Sequence, residues 1–266
     1  MSAGSAGATE LHEVSVVSNE RAADGLMRVV LSAPSLAFRL SAGQFLNVAV
    51  PGDPSQILRI PLSFSHADAA AGTVEIVYAV VGDGTRRLSQ MAAGQSTTVV
   101  GPCGNPWPEP EGAARACVVA GGVGITPVVA CARMLAARGV AFDAVVGAQS
   151  AGRLWGTDVL GALGAGTVAV TTDDGTAGRR GFTTDALSDL LAERAYDVVY
   201  TCGPEVMMAG VARICREAGV ACRVSMERMM CCGFGACGTC NVAMADGTYK
   251  SCCKDGPVFD AEEVAW

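Results

Sequence analysis

Six of the chain's twelve cysteines fall between positions 231 and 253, in the stretch CCGFGACGTCNVAMADGTYKSCC. Cys232, Cys237 and Cys240 read C-x4-C-x2-C, and a fourth thiol follows at Cys252 or Cys253. That is a spacing with which thiolates hold a [2Fe–2S] cluster. Gly233, Gly235 and Gly238 lie inside the loop. Glycine accepts the positive φ of a tight turn, and a tight loop aims backbone N–H groups at the sulfur charge. Structural zinc usually pairs one C-x2-4-C with a second of similar spacing. Three cysteines in nine residues with a glycine-rich gap of four fit that pattern poorly, so zinc ranks second and reduced core thiols third. Taking Cys232 as the first ligand keeps the gap at four, whereas Cys231 would make it five. If the last segment is extended, Cys252 and Cys253 face opposite sides, so one of them points away from the cluster.

A second glycine-rich stretch is Ala120-Gly121-Gly122-Val123-Gly124-Ile125-Thr126-Pro127. It follows an apolar run and opens a helical pattern. Glycines there let the backbone approach a diphosphate, which a helix N-terminus attracts. Cys202-Gly203-Pro204 ends the predicted strand DVVYT, where an open α/β sheet places its ligands. Asp173-Asp174-Gly175 and Arg179-Arg180 form a polar loop that could meet the adenosine end of a nucleotide. No Ser/His/Asp arrangement and no P-loop is present. His12 and His66, the only histidines, lie in no catalytic constellation and are expected at the surface. Cysteines away from the cluster set, among them Cys117, Cys131 and Cys215, are expected to pack as small hydrophobes.

The elements that must position these groups follow from periodicity. VSVVS, MRVVLSA, QFLNVAV, LRIPLSF, TVEIVYAVV and STTVV are short β-rich runs separated by Gly, Pro, Asp and Asn. They predict an antiparallel barrel over residues 11–110, with a short helix at Thr85–Met91. Residues 1–10 are small and polar and are expected to be disordered. GPCGNPWPEPEG, from Gly101 to Gly112, marks the domain boundary. From 111 to 225 strands and helices alternate, which predicts a doubly wound parallel sheet. Residues 226–266 form a small cluster-binding module. The fold class is therefore β plus α/β with a C-terminal [2Fe–2S] appendage.

Composition agrees. Half of the 266 residues are hydrophobic, 17% are charged and the formal net charge is −7. A buried core is expected and nucleic-acid binding is not, since no basic run appears. MSAGSAGATE has neither the basic nor the apolar region of a signal peptide, and no stretch reads as a membrane span. These features predict a cytoplasmic, reducing setting in which the thiols serve metal and redox chemistry.

Leu58–Phe64, LRIPLSF, resembles the flavin-binding signature of the ferredoxin–NADP reductase superfamily. The resemblance makes Arg59, Ile60, Pro61, Leu62 and Ser63 candidates for holding FAD. Val77, Tyr78 and Ala79 follow, then Gly82-Asp83-Gly84-Thr85, whose Gly84 and Thr85 would open a helix suited to phosphate. Gly101-Pro102-x-Gly104-Asn105 resembles the superfamily's segment beside the flavin. The superfamily's arginine stands immediately before Pro-x-Ser, where this chain has Ile60; Arg59 is one residue earlier. Gly121, Gly122, Gly124 and Thr126 fall in a stretch similar to the superfamily's GGxGIxP loop. Cys202, Gly203 and Pro204 match its CGP, whose cysteine lies near the nicotinamide.

Taken in order, flavin barrel, nucleotide domain and C-terminal cluster resemble the electron-transfer subunits of type B, NAD-dependent dihydroorotate dehydrogenases. The resemblance runs from residue 11 to about residue 264. Its most specific part is Met226-Glu227-x-x-Met230 leading into CCGFGACGTC, then Cys253-Lys254-Asp255-Gly256-Pro257-Val258-Phe259. It implies Cys232, Cys237, Cys240 and Cys253 as ligands, because Cys253 directly precedes KDGPVF. It further implies hydride exchange between nicotinamide and FAD, single electrons crossing the cluster, and a separate FMN-containing catalytic subunit in a heterotetramer of two of each. That partner oxidises dihydroorotate in pyrimidine biosynthesis. No residue of this chain need act as acid or base, and the chemistry belongs to the cofactors. Arg-Ile-Pro-Leu-Ser, Cys-Gly-Thr-Cys and the Asp260-Ala261 ending also resemble flavin subunits of ferredoxin–NADP transhydrogenases, sulfide dehydrogenases and glutamate synthase-like systems. Some transhydrogenase-type subunits carry Asp at the first ligand position, so Cys232 favours the dihydroorotate family. A reading of another class is a non-catalytic metal-binding regulatory module, which iron and flavin content would distinguish.

Overall fold

A computed structural model describes residues 9–52 and 56–266. The period-two runs of the first hundred residues form seven strands: β1 (Glu10–Ala23), β2 (Leu26–Ser32), β3 (Phe45–Val48), β4 (Ile60–Ser63), β5 (His66–Asp68), β6 (Thr73–Ala79) and β7 (Ser96–Cys103). They pair antiparallel in the order β4-β3-β7-β1-β2-β6-β5. The sheet curls around Val14, Val29, Leu31, Leu46, Val48, Ile76, Tyr78 and Val99, one contiguous apolar core. Short helices α1 (Pro34–Ala37) and α2 (Asp83–Ser89) complete this unit. The helix expected from Thr85 begins two residues earlier, because the Thr85 hydroxyl reaches back to accept from the backbone N–H groups of Val81 and Gly82.

Two expectations change here. Residues 1–8 of the segment expected to be disordered lie outside the described residues, and Glu10 already belongs to β1. His12 is buried, not at the surface: its ring lies 3.0 Å from Ser35 Oγ and 3.2 Å from Gly101 O. Pairing of β1 with β7, with α1 alongside, encloses it. His66 is half-buried.

Beyond the Pro/Gly-rich connection come β8 (Arg115–Gly121), α3 (Ile125–Ala137), β9 (Ala141–Ala148), α4 (Thr157–Ala162) and β10 (Val168–Thr172). They are followed by β11 (Arg179–Arg180), α5 (Thr183–Glu193), β12 (Val198–Cys202), α6 (Glu205–Ala218) and β13 (Ala221–Ser225). The hairpin β14 (Asn241–Ala243) and β15 (Tyr249–Ser251) and a last strand, β16 (Val258–Asp260), close the chain. The second sheet runs β11-β10-β9-β8-β12-β13-β16, parallel except that β16 adds antiparallel to β13. Order reverses between β8 and β12, the switch point where a doubly wound sheet binds ligands.

The C-terminal segment shares its core with the nucleotide unit. Cys240, Val242, Met244, Cys252, Cys253 and Phe259 pack in one cluster with residues of α5 and α6, and with Phe45 and Cys103 of the barrel. Once β16 zips onto β13, the cluster segment is fixed to both neighbours.

Inside the parallel sheet one charge is enclosed. Asp143 on β9 is fully buried and accepts from Tyr196 Oη (2.8 Å), Arg194 (2.9 Å) and Arg115 (3.1 Å). Burial alone would push its carboxyl up, but these donors outweigh it and hold the pKa below the ordinary carboxylate range. A depressed native pKa gives stability that is present above the unfolded value, about 3.9, and lost as pH falls through the native one. Asp143→Ala leaves two arginines and a tyrosine facing a void and should cost about 3 kcal/mol at pH 7. Denaturant unfolding of variant and wild type at pH 7 and below pH 4 checks this: the gap should narrow only in acid.

Candidate redox site

The cluster loop is built as its glycines suggest. Gly233, Gly235 and Gly238 take φ of 78°, 87° and 68°, which lets the backbone fold over the thiols. Gly235 N–H points at Cys253 Sγ (3.1 Å), Ala236 N–H at Cys232 Sγ (3.3 Å) and Cys253 N–H at Cys240 Sγ (3.4 Å). Such donors stabilise thiolate charge. The four proposed ligands stand as two pairs, Cys232 within hydrogen-bond reach of Cys237 and Cys240 within reach of Cys253, and Cys231 lies within reach of Cys237 as well. Among the described residues no three His, Cys, Asp or Glu side chains are gathered to hold a single metal ion. Four thiols in two pairs suit two irons, with two thiolates on each. Hydrogen bonds from Thr239, whose Oγ1 lies 3.2 Å away, and from Cys232 pull exposed Cys237 down to about 6. Burial, with Cys240 beside it, pushes Cys253 up to about 12.

Of the two ambiguous cysteines, Cys231 lies within hydrogen-bond reach of Cys237 and Cys252 points away. Cys252 is fully buried; its N–H donates to Cys240 O (2.8 Å) and its Sγ to Met226 O (3.2 Å), away from the loop. Cys231 is exposed.

The flavin stretch lies on β4, an edge strand whose Ile60, Pro61, Leu62 and Ser63 are all half-buried. A Cβ added at Gly84 would meet Ile60 Cδ1 and Val50 Cγ2 at 3.2 Å. The start of α2 and the flavin strand therefore converge on a close-packed cradle at Gly84, and the N–H groups at that helix start suit a phosphate. Thr85 keeps its hydroxyl for its own turn. Arg59 does not reach round to α2: it donates to Thr98 O (2.9 Å), Thr98 Oγ1 (3.0 Å) and Asn47 O (3.5 Å). Opposite Asn47 stands Pro61, which has no N–H to offer that carbonyl. Tyr78 is buried in the barrel core, with its hydroxyl 3.4 Å from Asn19 Oδ1; what β6 can offer a ligand at this point is backbone. Ala79 is half-buried.

The nicotinamide stretches meet at the switch point. Cys202 pairs with Ala120 across β12 and β8. A Cβ on Gly124 would collide with the Cys202 carbonyl, one on Gly203 would lie 3.0 Å from Gly121 Cα, and one on Gly121 would strike Pro204 Cδ at 2.9 Å. Gly122, at φ 56°, faces open space. Cys202 is buried, and burial together with the nearby Glu227 carboxylate keeps its thiol protonated. Thr126 donates from Oγ1 to Val77 O (2.8 Å), tying this loop to β6. Asp174 accepts from Thr176, and Arg179 pairs with Asp189.

Two residues have roles that motif reading did not assign. Asn105 reaches the C-terminal module: its Nδ2 donates to Lys254 O (3.2 Å) and Asp255 O (2.9 Å), and its N–H to Gly256 O (2.6 Å). Asn47 donates from Nδ2 to Cys232 O (3.3 Å). The one signal for Asn47 was an amide in the middle of the apolar run QFLNVAV.

Residues 227–265 match the family model of the iron–sulfur cluster binding domain of dihydroorotate dehydrogenase B, and residues 9–107 match an oxidoreductase FAD-binding domain. The probable dihydroorotate dehydrogenase B (NAD(+)) electron transfer subunit of Methanopyrus kandleri is 40% identical over 231 residues, 87% of this chain and 83% of that one. The electron transfer subunit of Bacillus caldolyticus is 36% identical over 94% of this chain and 97% of its own. Among solved structures, a chain of an NADH-dependent reduced ferredoxin–NADP oxidoreductase superimposes with a TM-score of 0.85 at 32% identity, covering 98% of this chain and 91% of that one. Phthalate dioxygenase reductase, at 20% identity and a TM-score of 0.62 over 88% of this chain and 87% of that one, shares the fold.

We propose Cys232, Cys237, Cys240 and Cys253 as the ligands, on their spacing and on the N–H groups and hydroxyl that face their sulfurs. Serine at Cys232, Cys237, Cys240 or Cys253 should abolish a stable cluster, while Cys231→Ser and Cys252→Ser should leave it largely intact. Iron, sulfide and the EPR signal of the reduced protein, measured for all six variants, decide the register. Loss of the cluster in Cys231→Ser or Cys252→Ser, with its neighbour's variant keeping it, would show the register wrong.

Proposed function

The chain belongs to the family of electron-transfer subunits of NAD-dependent dihydroorotate dehydrogenase B, and on that premise we propose that it carries electrons between NAD(H) and an FMN-containing subunit that oxidises dihydroorotate to orotate. It is an NAD-linked flavin and iron–sulfur oxidoreductase subunit that works with a separate catalytic partner. Its cofactors are FAD and an iron–sulfur cluster, with NAD(H) as the soluble donor or acceptor. The finer picture is a cytoplasmic heterotetramer of two subunits of each kind. Among the described residues no helix is long and apolar enough to cross a membrane.

One observation carries the reading: hydrogen bonds tie the nucleotide loop to the barrel and the cluster loop to the strand that pairs with the flavin strand. Thr126 of the nucleotide loop bonds Val77 of the barrel, and Asn47, paired across the sheet with Pro61 of the flavin strand, bonds Cys232. When bound, FAD exchanges hydride with NAD(H) and single electrons with the cluster. The residues of this chain hold and orient. The switch-point glycines admit a diphosphate, the cradle between Ile60 and Gly84 takes the flavin's phosphate end, and the thiol pairs take the irons. Neither histidine takes part: His12 is enclosed against α1 and β7, and His66 lies on β5. Around the proposed ligands Phe234 and Met229 are exposed, as are Cys231 and Cys237, an apolar surface beside the thiols that suits a docking partner.

The superposition with the ferredoxin–NADP oxidoreductase chain supports a second reading, a transhydrogenase flavin subunit. Cys232 at the first ligand position favours the dihydroorotate reading.

The isolated chain should release FAD on heating, identifiable by chromatography, and FMN in its place would refute the flavin assignment. NADH should bleach that flavin anaerobically without a partner, and dihydroorotate alone should not. Direct reduction by dihydroorotate would overturn the subunit reading, while a strong NADPH preference would favour the transhydrogenase reading. Gly124→Ala, which forces the Cys202 carbonyl away, should weaken NADH-driven bleaching at least tenfold, as an ångström-scale displacement does, and should leave FAD and iron content unchanged.

A further inference from the structure

Asn47 is a polar outlier in a strand whose four residues are all buried. Its neighbours Leu46 and Val48 face the barrel core, so by alternation Asn47 faces the C-terminal module. It is 1% exposed, and its Oδ1 is buried with no hydrogen-bond partner. Burying an amide with half of its bonding unmade is costly, and a β-branched or aromatic residue would suit this strand better. The side chain obtains one bond in return, from Nδ2 to the carbonyl of Cys232, 185 residues away in sequence. The opposite wall is cleared for it: Gly233, at φ 78°, stands so close that an added Cβ would overlap Asn47 Nδ2. Across the sheet Asn47 pairs with Pro61 in the flavin strand, and its backbone carbonyl is approached by Arg59. One residue thus touches the first cluster cysteine and sits in register with the flavin stretch.

We propose that Asn47 is a positioning residue that holds the Cys232 ligand loop at a fixed place against the flavin strand pair and thereby sets the environment of the cluster. The proposal rests on the reading of Cys232 as a cluster ligand beside an FAD strand. The carbonyl Asn47 binds belongs to the ligand residue itself, so loss of the bond frees the loop at the thiolate. Packing between barrel and module has other anchors, Asn105 on Gly256 O, Lys254 O and Asp255 O and Phe45 in the shared core. The domains therefore stay docked without Asn47.

The test uses the full-length holo-protein with Asn47→Leu, which keeps the volume and removes the donor, and Asn47→Ser, which is small enough to be accommodated without strain. Both should keep wild-type FAD content and NADH-driven flavin bleaching. Both should alter the EPR line shape of the dithionite-reduced cluster, shift its reduction potential, and release iron to a chelator about tenfold faster, the scale found for residues that orient metal ligands. Wild-type EPR, potential and iron-release rate in both variants would overturn the proposal. So would a drop in FAD content and thermal stability with an unchanged EPR signal, which is what a purely structural amide would give. Should Asn47→Leu fail to fold, Asn47→Ser decides alone. A wild-type chain with no [2Fe–2S] signal after reconstitution would overturn the functional reading itself, independently of Asn47.

Discussion

Electrons can pass along a row of cofactors only if their separations are fixed, and in this chain that constraint falls on the seam between the end of β7 and the C-terminal module. Gly104, at φ 75°, brings the two backbones together; a Cβ there would meet Gly256 O at 2.8 Å and Phe45 Cε1 at 3.2 Å. Asn105, next in sequence, then binds Gly256, Lys254 and Asp255, the residues that follow Cys253. Fixing this turn against the barrel fixes the fourth thiol of the set, just as Asn47 fixes the first. Both amides are in the barrel unit and both use carbonyls of the module as acceptors, so the positioning does not depend on any side chain of the module.

The nucleotide unit is attached by the same logic. Thr126 Oγ1 donates to Val77 O, and the indole N–H of Trp107 donates to Pro127 O (3.2 Å), with its ring edge-on to Tyr200 at 5.5 Å. Neighbouring residues of the nicotinamide loop are thus held by the barrel and by the interdomain connection. Stretches that look like ligand contacts in sequence are also the domain joints. A loop whose backbone must face a diphosphate leaves its side chains pointing inward, and those side chains find the adjacent domain.

This double use explains what could be read beforehand. Local signals were legible: alternation in VSVVS and TVEIVYAVV became barrel strands, strand–helix alternation became the parallel sheet, and the glycine-rich cysteine stretch became a tight loop with backbone N–H groups facing thiols. Long-range pairings were not. Nothing near Arg59 says that it will bind Thr98, 39 residues away on β7. Nothing near His12 says that α1 and β7 will enclose it. The cluster segment looked like a separate appendage because its cysteine stretch follows the last predicted strand of the nucleotide unit, yet β16 adds to that unit's sheet and its core runs into that of α5 and α6. In the polar loop Asp174 binds its neighbour Thr176, while Arg179 pairs with Asp189 on α5.

The same packing separates two populations of thiol in one cysteine-rich chain. Cys131 and Cys202 are buried where desolvation raises their pKa far above the usual thiol value, and burial with Cys232 nearby takes Cys103 up to about 12. These thiols fill the core as small hydrophobes. The proposed ligands differ less by exposure, since Cys240 and Cys253 are buried too, than by what faces the sulfur. Backbone N–H groups point at Cys232, Cys240 and Cys253, and a hydroxyl stands beside Cys237. Cys252 shows the contrast at the shortest range: one residue from Cys253 and equally buried, its sulfur meets the Met226 carbonyl where that of Cys253 meets the Gly235 N–H. The proposed ligands are therefore set apart by the backbone N–H groups and the hydroxyl that face their sulfurs, and the glycines matter because they let the loop turn those N–H groups inward.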